Sequence, residues 1–205
     1  KIEGEPPGAH HIRIKNSEIA NGLSPTKASG RIGILGGANS EFINLDIHNN
    51  YYGIYTHGPV LLQGSKIHDN AGYGLHFFDE GGGVNNNTIV GNLIYNNNLG
   101  PLIRPQDIGV GAIISSGTNN TFYNNITYGN RGGLQIDYSV SNTQVYNNTF
   151  YNNNVGGDGY CMYIGSGANS TTVRNNICWQ HPTPILNQGS ETVQSNNLET
   201  QDPLF

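Results

Sequence analysis

The feature that most constrains this chain is a nine-residue pattern that recurs along most of its length. Aligned on its Asn-Asn steps, the sequence contains eight copies, which begin at Ile14, Phe42, Leu62, Ile89, Phe122, Val145, Val173 and Val193. We number the positions of the pattern as columns one to nine. Column one is always apolar, column six is apolar in all copies but one, and column four is Asn in the last five: Asn92, Asn125, Asn148, Asn176 and Asn196. Successive copies begin 20 to 33 residues apart, and a period of this length is typical of a solenoid with one coil per repeat.

A second segment lies between the nine-residue copies and is led by glycine. It begins at Gly33, Gly53, Gly74, Gly111, Gly133 and Gly159. Two or three short strands per coil predict an all-β fold, a single-stranded right-handed parallel β-helix of about eight coils, over residues 1–205 as a single domain. Columns one and six then point inward as apolar ladders. Asn suits the turns because it tolerates left-handed backbone, and stacked copies can hydrogen-bond to one another.

Composition narrows the possible functions. The chain has 31 Asn and 29 Gly, only 11% charged residues and a net charge of −5, which excludes a helical bundle. With nine Lys and Arg, we expect no nucleic-acid partner, and without a long apolar run we expect no membrane insertion. The chain starts without Met and shows no capping helix. We therefore expect a longer natural protein, trimmed at one or both ends, and end-to-end association with itself or other chains through uncapped coils.

These repeats resemble the right-handed parallel β-helix repeat superfamily, which includes pectate and alginate lyases, polygalacturonases, mannuronan epimerases, phage tailspikes and uncharacterised secreted bacterial proteins. The ending at residues 195–205 is similar to the last coil of the uncharacterised group. The resemblance implies a secreted or cell-surface protein that acts on or binds acidic polysaccharide. Residues 52–57 are the nearest match to the epimerases' Asp-Pro-His-Glu run but lack its Asp and Glu. The clustered-Asp and Gly-His-Gly signatures of polygalacturonases are absent from the sequence.

The first candidate site is the outer face of the glycine-led strands and the long turn over residues 99–107. Its candidate catalytic residues are His57, His76, Arg104, Asp107, Asp137 and Tyr163. In a polysaccharide lyase or epimerase, Arg104 or a Ca²⁺ ion held by Asp79 and Asp107 would neutralise the uronate carboxylate. A His or Tyr would then transfer the proton of the adjacent carbon. A glycoside hydrolase would instead use two of the carboxylates Asp79, Asp107 and Asp137. No other cofactor is implied.

The second candidate site is column seven, which is aromatic in six consecutive copies: His48, His68, Tyr95, Tyr128, Tyr151 and Trp179. If these side chains point outward, they form a glycan-stacking stripe. They can equally stabilise the wall by cross-strand stacking, or lie beneath a segment outside this sequence. Three functions therefore stay open: an enzyme on acidic polysaccharide, a non-catalytic glycan-binding or adhesion module, and a structural solenoid segment of a larger surface or fibre protein.

The two cysteines lie in different segments of adjacent coils. Cys178 occupies the inward column six, and Cys161 lies in a glycine-led strand. This placement favours two buried free thiols over a disulfide, which would indicate an oxidising compartment.

Overall fold

The computed structural model describes residues 2–3, 10–22, 32–78, 84–98, 110–155 and 159–204. Every regular element in these ranges is a β-strand, and the strands form two parallel sheets. The smaller one contains the glycine-led segments, and we call it the glycine sheet. Its strands are β1 (Ile2–Glu3), β3 (Ile34–Leu35), β5 (Ile54–Thr56), β8 (Leu75–Phe77), β11 (Ala112–Thr118), β14 (Leu134–Ser141), β17 (Tyr160–Ile164), β18 (Ala168–Asn169) and β21 (Thr183–Asn187).

The larger sheet contains the nine-residue pattern and bends into two walls. Its strands are β2 (Arg13–Ala20), β4 (Ser40–His48), β6 (Val60–Gln63), β7 (Lys66–His68), β9 (Thr88–Val90), β10 (Leu93–Tyr95), β12 (Thr121–Tyr123), β13 (Ile126–Tyr128), β15 (Gln144–Tyr146), β16 (Thr149–Tyr151), β19 (Thr172–Arg174), β20 (Ile177–Trp179) and β22 (Val193–Ser195). Strands β6, β9, β12, β15, β19 and β22 form the column-one wall, and β7, β10, β13, β16 and β20 form the column-six wall. Strand β4 runs through both walls. Because each strand pairs with its copies in neighbouring coils, the predicted parallel β-helix is confirmed.

The predicted register is confirmed for the first seven copies. Column one pairs in sequence from Ile14 to Val173, and column six from Ile19 to Cys178. Both columns are fully buried from Phe42 onward. The resulting core is continuous along the solenoid and holds the stacked rings of Phe122 and Phe150. The interior is therefore packing, and chemistry is left to the outer faces.

The predicted last copy is wrong by one residue. Val173 pairs with Gln194 rather than with Val193. Asn197 therefore occupies column four in place of Asn196, and Leu198 does not occupy column six. Val193 fits the apolar pattern of column one, but the residue that occupies this position is Gln194. Because Gln194 is exposed in this coil, the position does not require an apolar side chain.

The corners of each coil are built from a left-handed residue followed by an inward side chain. Column three has φ between 51° and 65° in every copy, from Asn16 to Asn196, and Gly64 and Gly91 replace Asn in two of them. The left-handed residue is therefore in column three, not in column four as predicted. Since its backbone turns the chain, the next side chain points into the solenoid.

Column four forms the predicted Asn ladder. From Ser65 to Asn176, each backbone N–H donates to the side-chain oxygen of the next copy at 2.9–3.0 Å, and the series ends at Asn197. A second ladder, which the sequence did not reveal, runs through column nine: Asn50, Asn70, Asn97, Asn130 and Asn153. Its last N–H donates to Nε2 of His181 at 3.2 Å. Two corners per coil are therefore held by buried amides.

Cys161 and Cys178 form a disulfide, so the favoured prediction of free thiols is wrong. Their Cα atoms lie 5.6 Å apart and both side chains are buried. Strand pairing places Cys161, rather than Gly159, opposite Gly133. At this glycine position, a Cβ on Gly133 would lie 2.9 Å from the column-six ring of Phe150, which follows 17 residues later in sequence. Cys178 follows Cys161 at the same separation, so the two sulfurs meet where a glycine and a column-six side chain normally touch.

Candidate functional site

Close packing of successive coils fixes the outer face of the glycine sheet. A Cβ on Gly53 would lie 2.5 Å from the carbonyl oxygen of Gly74, and one on Gly74 would lie 2.5 Å from that of Gly111. Only glycine permits this approach. The side chains two positions after these glycines therefore stand side by side on the outer face: Tyr55, His76 and Ile113.

A cavity of about 470 Å³ opens over these outward side chains. Its lining residues are Tyr52, Tyr55, Tyr73, His76, Phe78, Ile113, Ser115 and Tyr138. The volume is in the range of small-ligand sites, and the mixture of aromatic faces with a few polar tips is typical of them. None of the described residues that line it is Lys, Arg, Asp or Glu.

His76 lies at the centre of the aromatic lining. The rings of Tyr55 and Tyr52 meet it edge-on, with centroids 4.6 Å and 5.7 Å away. Tyr73 lies 4.8 Å away and Phe78 lies 5.8 Å away. Four aromatic side chains therefore surround one imidazole and exclude much of the water around it.

This environment keeps the imidazole neutral. Burial, and to a smaller extent the neighbouring His57, lowers the pKa of His76 to about 3. Nδ1 of His76 and Oγ of Ser115 are buried and have no hydrogen-bond partner among the described residues. Buried polar atoms without partners are uncommon in native proteins and often indicate a place for water or ligand.

The predicted site residues fall into two groups on the glycine sheet. His57 and His76 lie together, bridged by the ring of Tyr55, whose centroid is 4.9 Å from that of His57. Asp137 and Tyr163 lie on β14 and β17, further along the solenoid; their strands pair directly. The hydroxyl of Tyr163 donates to Oε1 of Gln188 at 3.1 Å. Burial and then the charge of Asp137 raise the pKa of Tyr163.

The remaining candidates of this face lie outside the described residues. They are Asp79, Arg104 and Asp107. Within the described ranges, no group of three or more His, Cys, Asp or Glu side chains is arranged to hold a metal ion. The Ca²⁺ site assigned to Asp79 and Asp107 stays a prediction. No helix in the described part of the chain is long and apolar enough to span a membrane.

The column-seven side chains lie on the outer surface of the column-six wall. Four of them form one continuous stack, with ring centroids 4.6–5.0 Å apart and ring planes within 11° of parallel: His48, His68, Tyr95 and Tyr128. Nε2 of His68 lies 2.8 Å from a carboxylate oxygen of Asp46, and Nδ1 lies 2.7 Å from one of Asp69. Tyr151 and Trp179 continue the register. Because the inner rings of the stack cover one another's faces, this arrangement favours cross-strand stabilisation over sugar stacking.

Of the eight described residues that line the cavity, only His76 was among the predicted site residues; the other seven are Tyr52, Tyr55, Tyr73, Phe78, Ile113, Ser115 and Tyr138. Tyr52 and Tyr73 directly precede Gly53 and Gly74, so a repeated Tyr-Gly step was available as a signal in the sequence. Ser115 and Tyr138 lie where the pairing of β11 with β14 shifts between Ile114 and Ser116. No repeat pattern indicates such an irregularity.

Comparison with known families assigns the fold. A family model described as "Right handed beta helix region" matches residues 7–100 and 56–198, which together span most of the chain. The chain belongs to this right-handed β-helix family. The membership accounts for the coil geometry described above.

Two solved structures share this β-helix fold. The A-module of mannuronan C-5 epimerase AlgE6 from Azotobacter vinelandii superposes with a TM-score of 0.70 at 14% identity, covering 95% of this chain and 59% of that chain. The A-module of AlgE4 from the same organism gives 0.67 at 13% identity, covering 94% and 56%. The chain thus spans less than two thirds of either module. No curated protein sequence matches the chain.

Proposed function

We propose that this β-helix protein binds an acidic polysaccharide across the glycine sheet and transfers a proton of a uronate residue in the His76 cavity. The observation that supports the proposal is the neutral imidazole of His76, held in a tyrosine-walled cavity where two buried polar atoms have no hydrogen-bond partner among the described residues. The A-modules of the mannuronan C-5 epimerases, enzymes named for their action on a uronate polymer, share the fold.

The proposed chemistry begins with the proton on the carbon that bears the carboxylate. A neutral imidazole can accept this proton, which a charged imidazolium cannot. The low pKa of His76 makes it a weak base in the empty cavity. A bound uronate carboxylate would bring a negative charge beside the ring and raise its pKa, because opposite charges stabilise each other in a poorly hydrated site.

Two outcomes follow from proton removal. In an epimerase, the carbanion recovers a proton on the opposite face, and the configuration of that carbon inverts. In a lyase, the electron pair forms a double bond, the glycosidic bond at the adjacent carbon breaks, and the leaving oxygen takes a proton. Since the described lining contains no cation, Arg104 stays the predicted partner of the carboxylate.

The Cys161–Cys178 disulfide supports the proposed location outside the cell or on its surface. Disulfides persist in oxidising compartments and are rare where thiols are kept reduced.

The deciding experiment uses polymannuronate, polygalacturonate, hyaluronan and a neutral glucan in D₂O, with and without Ca²⁺. Deuterium at the carboxylate-bearing carbon, measured by NMR, reports epimerisation, and ultraviolet absorbance reports unsaturated uronate ends. We expect His76→Gln to lower the rate about a hundredfold or more. His181→Asn serves as the matched histidine control, because His181 lies on the column-nine ladder and not in the cavity.

The outcomes separate the candidate functions. Turnover that His76→Gln leaves unchanged would overturn the assignment of the site. Binding without turnover on every polymer would favour a non-catalytic glycan-binding module, since the described residues that line the cavity carry no charge. Neither binding nor turnover would leave the structural solenoid as the better description.

A further inference from the structure

Tyr138 departs from the rest of the glycine sheet in exposure and in backbone conformation. It lines the cavity, yet 65% of its surface is exposed. Its φ is 72°, a left-handed value that most residues avoid. Most described non-glycine residues with positive φ are Asn at the corners of coils, whereas Tyr138 lies within strand β14. A large side chain in this conformation is strained, because its Cβ comes close to the following carbonyl oxygen.

The surrounding structure is shaped to hold this conformation. The backbone N–H of Tyr138 donates to Oδ1 of Asp137 at 2.7 Å, and the N–H of Gly167 in the next coil reaches the same oxygen at 3.4 Å. A Cβ on Gly167 would collide with the carbonyl of Tyr138, and one on Gly165 would collide with the Asp137 carboxylate. Position 167 must therefore be glycine for the segment to fit, and a side chain at position 165 would displace the carboxylate that holds the Tyr138 N–H.

The irregularity also places the ring. Alternation along a regular strand would turn the residue after the outward Asp137 into the core. Instead the left-handed backbone and the register shift opposite it bring Tyr138 to the surface, beside Phe78 and Ser115 on the cavity wall. Strain that the fold maintains beside a cavity suggests a functional role.

We infer that Tyr138 is a binding platform for a pyranose ring, which docks its C–H face on the phenol at the mouth of the His76 cavity. This inference deepens the proposed function and rests on it. A pyranose offers a flat apolar face edged by hydroxyls, which complements an exposed aromatic ring with a polar tip. The column-seven stack covers the faces of its own inner rings, whereas Tyr138 contributes an exposed ring to the cavity. Tyr138 is thus a positioning residue for the sugar next to the reacting one.

The test compares Tyr138→Asn, Tyr138→Phe and His76→Gln with the wild type. The probes are a tetrasaccharide of mannuronate and cellotetraose, with affinities from calorimetry and turnover from deuterium incorporation. Asn tolerates the left-handed backbone, so Tyr138→Asn should melt at or above the wild-type temperature. We expect it to weaken the affinity of a binding tetrasaccharide about tenfold and to raise KM with little change in kcat. Tyr138→Phe should retain the affinity.

The two proposals fail in different ways. If a tetrasaccharide binds Tyr138→Asn as tightly as the wild type, the platform is overturned while a role for His76 can stand. If His76→Gln turns over normally and Tyr138→Asn has lost affinity, the platform stands and the proposed base is overturned. If the wild type binds neither tetrasaccharide, the platform is overturned, and the polymer panel above decides the proposed function separately.

Discussion

A single Asn in column four satisfies backbone groups of more than one coil. Oδ1 of Asn125 accepts the N–H and the side-chain amide of Asn92, while its own Nδ2 donates to Ile89 O and Asn148 Oδ1. All four bonds are buried. This explains why a chain so poor in charged residues carries so many Asn: the amide supplies a donor and an acceptor at a corner where no strand partner is available.

In the column-nine ladder, the last described acceptor is not an Asn side chain but the imidazole of His181. Its Nε2 must accept the N–H of Asn153, so Nδ1 carries the proton, and Nδ1 is buried without a described partner. If Nε2 were protonated, its N–H would face the N–H of Asn153, and neither donor would have an acceptor. Burial accordingly lowers the pKa of His181 to about 4, from an ordinary value of 6.5.

Acid is therefore expected to weaken the fold through His181. The folded-state pKa lies below the unfolded one, so the unfolded chain binds more protons below pH 6.5. The free energy of unfolding should fall by about 3 kcal/mol between pH 6.5 and pH 4 from this residue, and His76 adds a loss of the same sign. His181→Asn restores the ladder amide and should remove that residue's share. Denaturant titrations across this pH range check it; equal losses in both proteins would contradict the assignment.

At the scale of strands and corners, the sequence predicted what repeats and missed what departs from the repeat. Columns one and six were predictable because burial against the neighbouring coil demands an apolar side chain in each copy. Gln194 escaped this rule since its coil leaves column one exposed. Tyr138 could not be predicted, because its orientation depends on Asp137 and on two glycines of the next coil rather than on local alternation.

The disulfide was missed for a related reason. Its geometry depends on a contact between the glycine position of β17 and the column-six side chain of β20. If Gly159 is aligned with Gly133, the segment is shifted by two residues from its true pairing. Tyr163 still points outward in that alignment, but Cys161 no longer lies near Cys178. Element pairing therefore decided an outcome that the residue types alone left open.

The Cys161–Cys178 link joins the glycine sheet to the column-six wall through the core. Replacing both cysteines by Ala should lower the free energy of unfolding by about 3 kcal/mol, the amount expected when a loop of this length loses its closure. Denaturant-induced unfolding of the variant and of the wild type measures this difference in the free energy of unfolding. Thiol titration in denaturant without reductant gives the control: two reactive thiols in the wild type would show that the bond is absent.

Two of the aromatic surfaces in the described part of the molecule lie on different walls. The glycine sheet bears the cavity with Tyr55, His76 and Tyr138. The column-six wall bears the ring stack that ends at Tyr128, and Tyr151 and Trp179 follow it in the same register. The first surface surrounds an opening, whereas the second consists largely of rings that cover each other. The fold thus separates a face suited to ligand from a face suited to stabilisation.

Hydroxyl-radical footprinting distinguishes the two surfaces in the intact protein. With a bound polyuronate, we expect oxidation of Tyr55 and Tyr138 to fall, because the polymer covers the cavity mouth. Oxidation of Tyr151 and Trp179 should stay at the level of the free protein, and these rings provide the internal control. The reverse pattern, with protection of the column-six wall alone, would show that the glycan binds the column-seven side chains and not the glycine sheet. Since both pairs are measured in one sample, unequal exposure to radicals cannot mimic either result.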